Sequence, residues 1–150
     1  MMPLLQRGVA LMRLRLAVAA DYANVSSDGK VNIMGVFHEI DPAVFPAGLS
    51  QGFLVLEWEA GPEEAGAKRQ LKIAFVDPDG MEKVALGIQI TVPKPSRPGS
   101  PALFNQIINV GGTPLEKPGG HAFYILADDE EKGRVALYVH EPTQGGEDSD

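Results

Sequence analysis

The chain has 150 residues, 44% of them hydrophobic and 22% charged, with a net charge of −7 and no cysteine. That is enough for one domain with a sizeable core, and the balance is that of a soluble globular protein. The acidic excess, with no Lys/Arg cluster, argues against nucleic acid and anionic lipid as partners, and the lack of cysteine excludes disulfides, thiolate nucleophiles and Cys-ligated metals.

No stretch reaches the ~20 consecutive apolar residues of a membrane-spanning helix. Residues 1–11 faintly resemble a secretory signal, but Arg13 and Arg15 interrupt the apolar run. From there Leu14, Leu16 and Val18 alternate with Arg13, Arg15 and Ala17, as a half-buried strand does. The reading is a loose extension over 1–11, one β-domain over 12–141, an acidic flexible tail over 142–150, and a cytoplasmic location.

The first strand is expected at Arg13–Ala19, with Leu14, Leu16 and Val18 inward. Ser26-Ser27-Asp28-Gly29 then suits a type I turn closed by a left-handed glycine. Past it, Val31 and Ile33 fall on one face and Asn32, Met34 and Val36 on the other. Gly35 in mid-strand suggests a bulge or a close backbone approach.

His38–Gly52 reads as a long loop punctuated by Pro42, Pro46 and Gly48. Phe53–Glu59 alternates with Leu54, Leu56 and Trp58 inward, and Arg69–Val76 with Leu71, Ile73 and Phe75 inward. Trp58 on the inward register reads as core and not as a sugar-stacking platform. Asp77-Pro78-Asp79-Gly80 is a turn, and Lys83–Val92 a strand carrying Val84, Leu86, Ile88, Ile90 and Val92 on one face. Pro93, Pro95, Pro98 and Pro101 make 93–101 an extended crossover between sheets. Leu103–Val110 is a further strand, and His121–Ala127 pairs with Arg134–His140 across Asp128–Gly133. About eight short strands separated by regular turn signals predict an antiparallel β-sandwich of immunoglobulin-like or related topology.

The pattern Ala-Asp-Tyr-Ala-x-Val-x-x-x-Gly-Lys-x-Asn-x-x-Gly-x-Phe, here Ala20–Phe37, resembles the opening of a family of small bacterial β-sandwich proteins of unknown function. The resemblance extends to Phe53–Glu59, to the turn at Asp77–Gly80 and to Pro118-Gly119-x-x-x-Phe123, and so covers most of residues 12–140. It implies the sandwich fold and no particular chemistry. His121 stands near the place where relatives carry a tyrosine, so no tyrosine-corner hydrogen bond is expected.

Candidate chemistry is sparse. His38, His121 and His140 form no zinc-binding spacing, and His38 and Glu39, as neighbours in an extended chain, point to opposite faces. No serine lies in a Gly-x-Ser-x-Gly elbow, no lysine or helix follows the paired glycines, and Glu57 and Glu59 sit on an outward face. Asp77 and Asp79 are the metal candidates, but calcium takes six to eight oxygen ligands and this turn supplies two. No cofactor is expected. The function read here is non-catalytic, a protein-interaction or structural module that binds a protein partner or a second copy of itself. A ligand- or calcium-binding sandwich is the alternative, with a hydrolase third. Partner contact is expected from Val44, Phe45 and Leu49 in the long loop, where Phe45 either anchors a partner or plugs the end of the sandwich.

Overall fold

The computed structural model describes residues 12–142; the expected N-terminal extension and most of the acidic tail lie outside them. Among the described residues eleven strands run in chain order: β1 (Arg13–Val25), β2 (Val31–Val36), β3 (Glu39–Ile40), β4 (Ala47–Gly48), β5 (Phe53–Ala60), β6 (Lys68–Val76), β7 (Glu82–Thr91), β8 (Ala102–Asn109), β9 (Pro114–Leu115), β10 (Gly119–Ala127) and β11 (Glu130–Val139). A four-stranded sheet in the order β2-β1-β5-β8 faces a five-stranded sheet in the order β3-β11-β10-β6-β7, and β4 and β9 form a small third pair. The orders β1-β5-β8 and β11-β10-β6-β7 are those of strands A-B-E and G-F-C-C′ of an immunoglobulin sandwich. The proline-rich 93–101 does carry the chain from one sheet to the other.

The alternation expected for β5 and β6 holds. Leu54, Leu56 and Trp58 face Leu71, Ile73 and Phe75, with Phe123 and Ile125 of β10 and Leu137 and Val139 of β11 completing the core. Trp58 is fully buried, and its Nε1 donates to Gln106 Oε1 at 2.9 Å, so its one polar atom is satisfied.

Three expectations change. First, β1 is one long strand with a bulge: Leu14 opposes Trp58, and the next paired residue, Leu16, opposes Glu57. One extra residue shifts a period-two pattern by one, so every later side chain changes face. Leu14 points inward as expected, packed close over Gly133, while Ala17 and Ala19 take the core face and Leu16 and Val18 the outer one. Second, the last hairpin turns more tightly than expected. Ala127 pairs with Glu130, and Asp128 and Asp129 both have positive φ, 49° and 70°, as a two-residue type I′ turn requires. Third, the stretch His38–Gly52 contains β3, parallel to β11, and β4, paired with β9, so it is pinned by main-chain pairing at two places and is not a plain loop.

The first hairpin forms as its sequence implies. Gly29 has φ 89°, and its N–H donates to Ser26 O at 2.9 Å. Asn32 Nδ2 donates to Asn24 Oδ1 at 2.9 Å and Ser26 Oγ at 2.7 Å, locking the two strands beside the turn. Gly35 has φ 71°, and a Cβ there would lie 2.4 Å from Asp21 Oδ2. The close approach expected of Gly35 is therefore with the Asp21 side chain. Nothing lies within 4 Å of a Cβ built on Gly29. Gly29→Ala should then cost about 1 kcal/mol from backbone strain alone, and Gly35→Ala about 2–3 kcal/mol from strain plus displacement of Asp21. Urea unfolding of the two variants checks the order.

Candidate functional site

The sequence-predicted partner residues separate in space. Val44 is 64% exposed, Phe45 is half-buried against the core, and Leu49 is 4% exposed. Leu49 is thus a core residue and not part of a docking surface: its N–H donates to Thr113 O at 2.9 Å and its carbonyl accepts from Gly112 N–H at 2.7 Å, which draws the side chain inward. Phe45 is the plug of the two alternatives. Around them the loop forms an open depression of about 520 Å³ rimmed by Asp21, Glu39, Asp41 and Val44, with Phe37 and Leu49 in its lining. Phe45→Ala should cost about 2 kcal/mol in urea unfolding, less than a fully buried phenylalanine would.

Asp77 and Asp79 are committed to their turn. Asp77 Oδ1 accepts from Asp79 N–H and Met81 N–H, both at 2.9 Å, and Lys117 Nζ pairs with Asp79 and lies 4.0 Å from Asp77 Oδ2. The Met81 N–H bond, then the Asp79 N–H bond and the charges of Lys117 and Lys83, outweigh partial burial and hold the Asp77 carboxyl below its ordinary 3.8. Among the described residues no three His, Asp or Glu side chains gather closely enough to hold a metal ion.

A depressed folded-state value means that ionised Asp77 stabilises the fold above pH 3.8, and that this contribution fades as pH falls through the lower folded value. Asp77→Asn keeps the acceptor oxygen and removes the charge. It should be less stable than the parent at pH 7, with the gap closing in strongly acidic urea melts. Calcium and chelator should both leave its melting temperature and the parent's unchanged.

The histidines have separate structural partners. His121 is buried, stacked on Phe75 with centroids 5.3 Å apart, and its Nδ1 lies 3.1 Å from Gly119 O. His140 Nε2 meets Glu39 Oε1 at 2.9 Å, and the chain bends at His38, so that His38 and Glu39 both line a shallow surface beside Ala17 and Tyr138 instead of diverging as expected. Glu64, which the sequence did not single out, is a buried carboxylate held by Arg69 at 2.8 Å, and Arg69 reaches Asp128 at 3.5 Å.

An apolar surface lies elsewhere, on the outer face of β2-β1-β5-β8. Register places Met34 beside Tyr22, Ala20 between Val36 and Phe53, and Val55 between Val18 and Ile107. Tyr22 meets Phe53 edge-on at 5.9 Å. Met34 is 61% exposed, with Tyr22 and Val36 nearly half so. Charged residues ring one end, where Arg13 pairs with Glu59 at 2.5 Å; Asn24 and Asn32 close the other. The sequence held one signal for this face, the alternation of Asn32, Met34 and Val36. The other half was hidden by the β1 bulge, which turns Leu16, Val18, Ala20 and Tyr22 outward.

Residues 15–140 match the model of a family of unknown function, DUF6941. The chain belongs to that family. As a DUF6941 protein it shares with the sequence-based resemblance a family without assigned activity, covering the same part of the chain. No curated protein matches it. Among solved structures, it is similar to the alkylpurine DNA glycosylase AlkC of Pseudomonas fluorescens bound to DNA containing an abasic site analog, at 13% identity and a TM-score of 0.51. That alignment covers 88% of this chain and 31% of the glycosylase, so the DUF6941 chain spans about a third of that protein, and the likeness is one of fold. It is also similar to an immunoglobulin-like protein of Pseudomonas aeruginosa, at 14% identity and a TM-score of 0.46, over 88% of this chain and 98% of that one. Among the described residues no helix is long and apolar enough to cross a membrane.

Proposed function

We propose that this DUF6941 protein is a non-catalytic protein-interaction module that docks a protein partner on the outer face of β2-β1-β5-β8. The observation that carries this reading is the contiguous apolar surface of Tyr22, Met34, Val36, Phe53 and Val18, on a sheet whose other face already supplies the core. A single exposed apolar residue is ordinary; a run of them across adjacent strands, rimmed by charged and amide groups, is what protein-binding surfaces present.

Other classes have less support. The aspartates offered for calcium are taken up by main-chain N–H groups and Lys117, and the histidines are engaged separately with Phe75, Gly119 and Glu39. The glycosylase neighbour is bound to DNA, but a net charge of −7 argues against a phosphate-binding role for this chain.

The test is capture of partners from a native lysate by the tagged full chain, followed by titration of the captured protein. Met34→Glu and Tyr22→Ser change exposed side chains and should leave the melting temperature within about 2 °C, while lowering partner affinity at least tenfold. Val44→Glu in the loop depression serves as comparator. Loss of capture in Val44→Glu, with Met34→Glu binding normally, would move the site to the loop.

A further inference from the structure

Strand β7 forms one edge of the five-stranded sheet and β8 one edge of the other sheet. Between these edges the sandwich is open. Val84 and Leu86 pair with the core residues Phe75 and Ile73 and so belong to the inward face, as the sequence predicted, yet they are 41% and 43% exposed. A cleft of about 270 Å³ runs beneath them, lined also by Ile108, Pro114 and Phe123.

We infer that β7 is a self-association edge, and that a second copy of this chain pairs with it antiparallel about a two-fold axis through Gly87. The pairing is independent of the outer docking face of the other sheet.

The argument begins with the free main chain. Val92 N–H donates to Ala67 O across the β6–β7 ladder, and the register runs unbroken from Thr91 back to Val84. Alternation therefore turns the N–H and C=O groups of Ala85, Gly87 and Gln89 away from β6, toward the open edge. Natural edges are commonly guarded by charge, proline, a bulge or short length. Here Val84–Ile90 contains no charge and no proline, and the β7 irregularity lies outside it, opposite Phe75/Val76. By contrast β3 has two residues, and β2 is broken by the positive φ of Gly35.

The segment is also complementary to itself. Gly87 is its midpoint, so antiparallel pairing about Gly87 sets Val84 against Ile90 and Leu86 against Ile88 on the inward face, and Ala85 against Gln89 on the outward face. Like meets like on the apolar side, and every edge-directed amide of Ala85, Gly87 and Gln89 meets an edge-directed carbonyl. The same operation on β8, centred on Asn105, would set Phe104 against Gln106 and use the side-chain face that holds Trp58 through Gln106.

Charge fits the same arrangement. Glu82 is paired with Lys72 at 3.2 Å and Lys83 with Glu116 at 3.0 Å, so the start of β7 is internally neutralised. The two-fold brings Lys94 of one copy toward the Asp77–Glu82 end of the other, and no like charges are set opposite each other. It also extends the apolar lining of the cleft with a second set of Val84, Leu86, Ile88 and Ile90 side chains.

The chain has no cysteine, so a cysteine placed in it reports geometry directly. Directly opposed residues in a hydrogen-bonded antiparallel pair have Cα atoms about 5.5 Å apart, inside the range a disulfide spans. Gly87 faces outward, and a Cβ there meets nothing closer than Gln70 Nε2 at 3.5 Å. Under mild oxidation Gly87→Cys should form a covalent dimer. Ala85→Cys and Gln89→Cys alone should cross-link poorly, and their mixture should cross-link to each other.

Sedimentation equilibrium of the parent chain should show mass rising with concentration toward twice that of the monomer. The doubly charged edge variant Ala85→Lys/Gln89→Lys should stay monomeric with an unchanged melting temperature. The proposal is overturned if the parent remains monomeric at millimolar concentration, if Gly87→Cys cross-links no faster than Glu130→Cys, an exposed position on β11, or if the dimer survives in the double lysine variant. Loss of self-association in the lysine variant, with partner capture on the outer face intact, separates this proposal from the interaction reading above.

Discussion

Strand β5 is buried along its whole core side and at Val55 on its outer side, and the rest of the molecule is arranged around that condition. Its Leu54, Leu56 and Trp58 are wholly inaccessible on the core side, and Val55 is equally buried on the outer side beneath Val18 and Ile107. A central strand that buries an apolar residue on its outer side needs neighbours that are apolar there as well as on the core side. β1 meets that need by a bulge. Small alanines, Ala17 and Ala19, lie against the core, and the larger Leu16, Val18 and Tyr22 are delivered to the outside. The interior gains close sheet packing, and the exterior gains an apolar face that nothing among the described residues covers.

The polar residues that first suggest chemistry serve instead to end strands. Asp77 accepts two main-chain N–H groups in the turn before β7. Asp128 joins the last hairpin to β6 by accepting from Gln70 N–H at 2.9 Å while its own N–H donates to Gln70 O at 2.8 Å. Asn109 Oδ1 accepts from Gly111 N–H at 2.8 Å where β8 ends. Each short polar side chain replaces a ladder partner at a point where the backbone must leave the sheet.

Among the described residues two surfaces are then left with unmet bonding capacity, and they differ in kind. The outer face of β2-β1-β5-β8 is apolar area without backbone demand, since its strands are already paired except at the margins. The β7 edge is backbone demand combined with half-covered side chains. The first suits a partner with a complementary side-chain surface, the second a strand.

Local chemistry in the sequence determined the period-two segments, the turns at Ser26–Gly29 and Asp77–Gly80, the crossover through four prolines, and the sandwich class. These follow from steric limits on φ and from alternation, which act over a few residues. Tertiary structure decided which face of β1 points inward, because one residue at the bulge reverses the pattern and no local signal marks it between Leu14 and Leu16. It decided that Leu49 is core, through hydrogen bonds to residues more than sixty positions away in the chain. It also decided that Val84 and Leu86, apolar and correctly phased, stay half-exposed. Alternation fixes which way a side chain points, and only the strands opposite determine whether anything lies there to cover it.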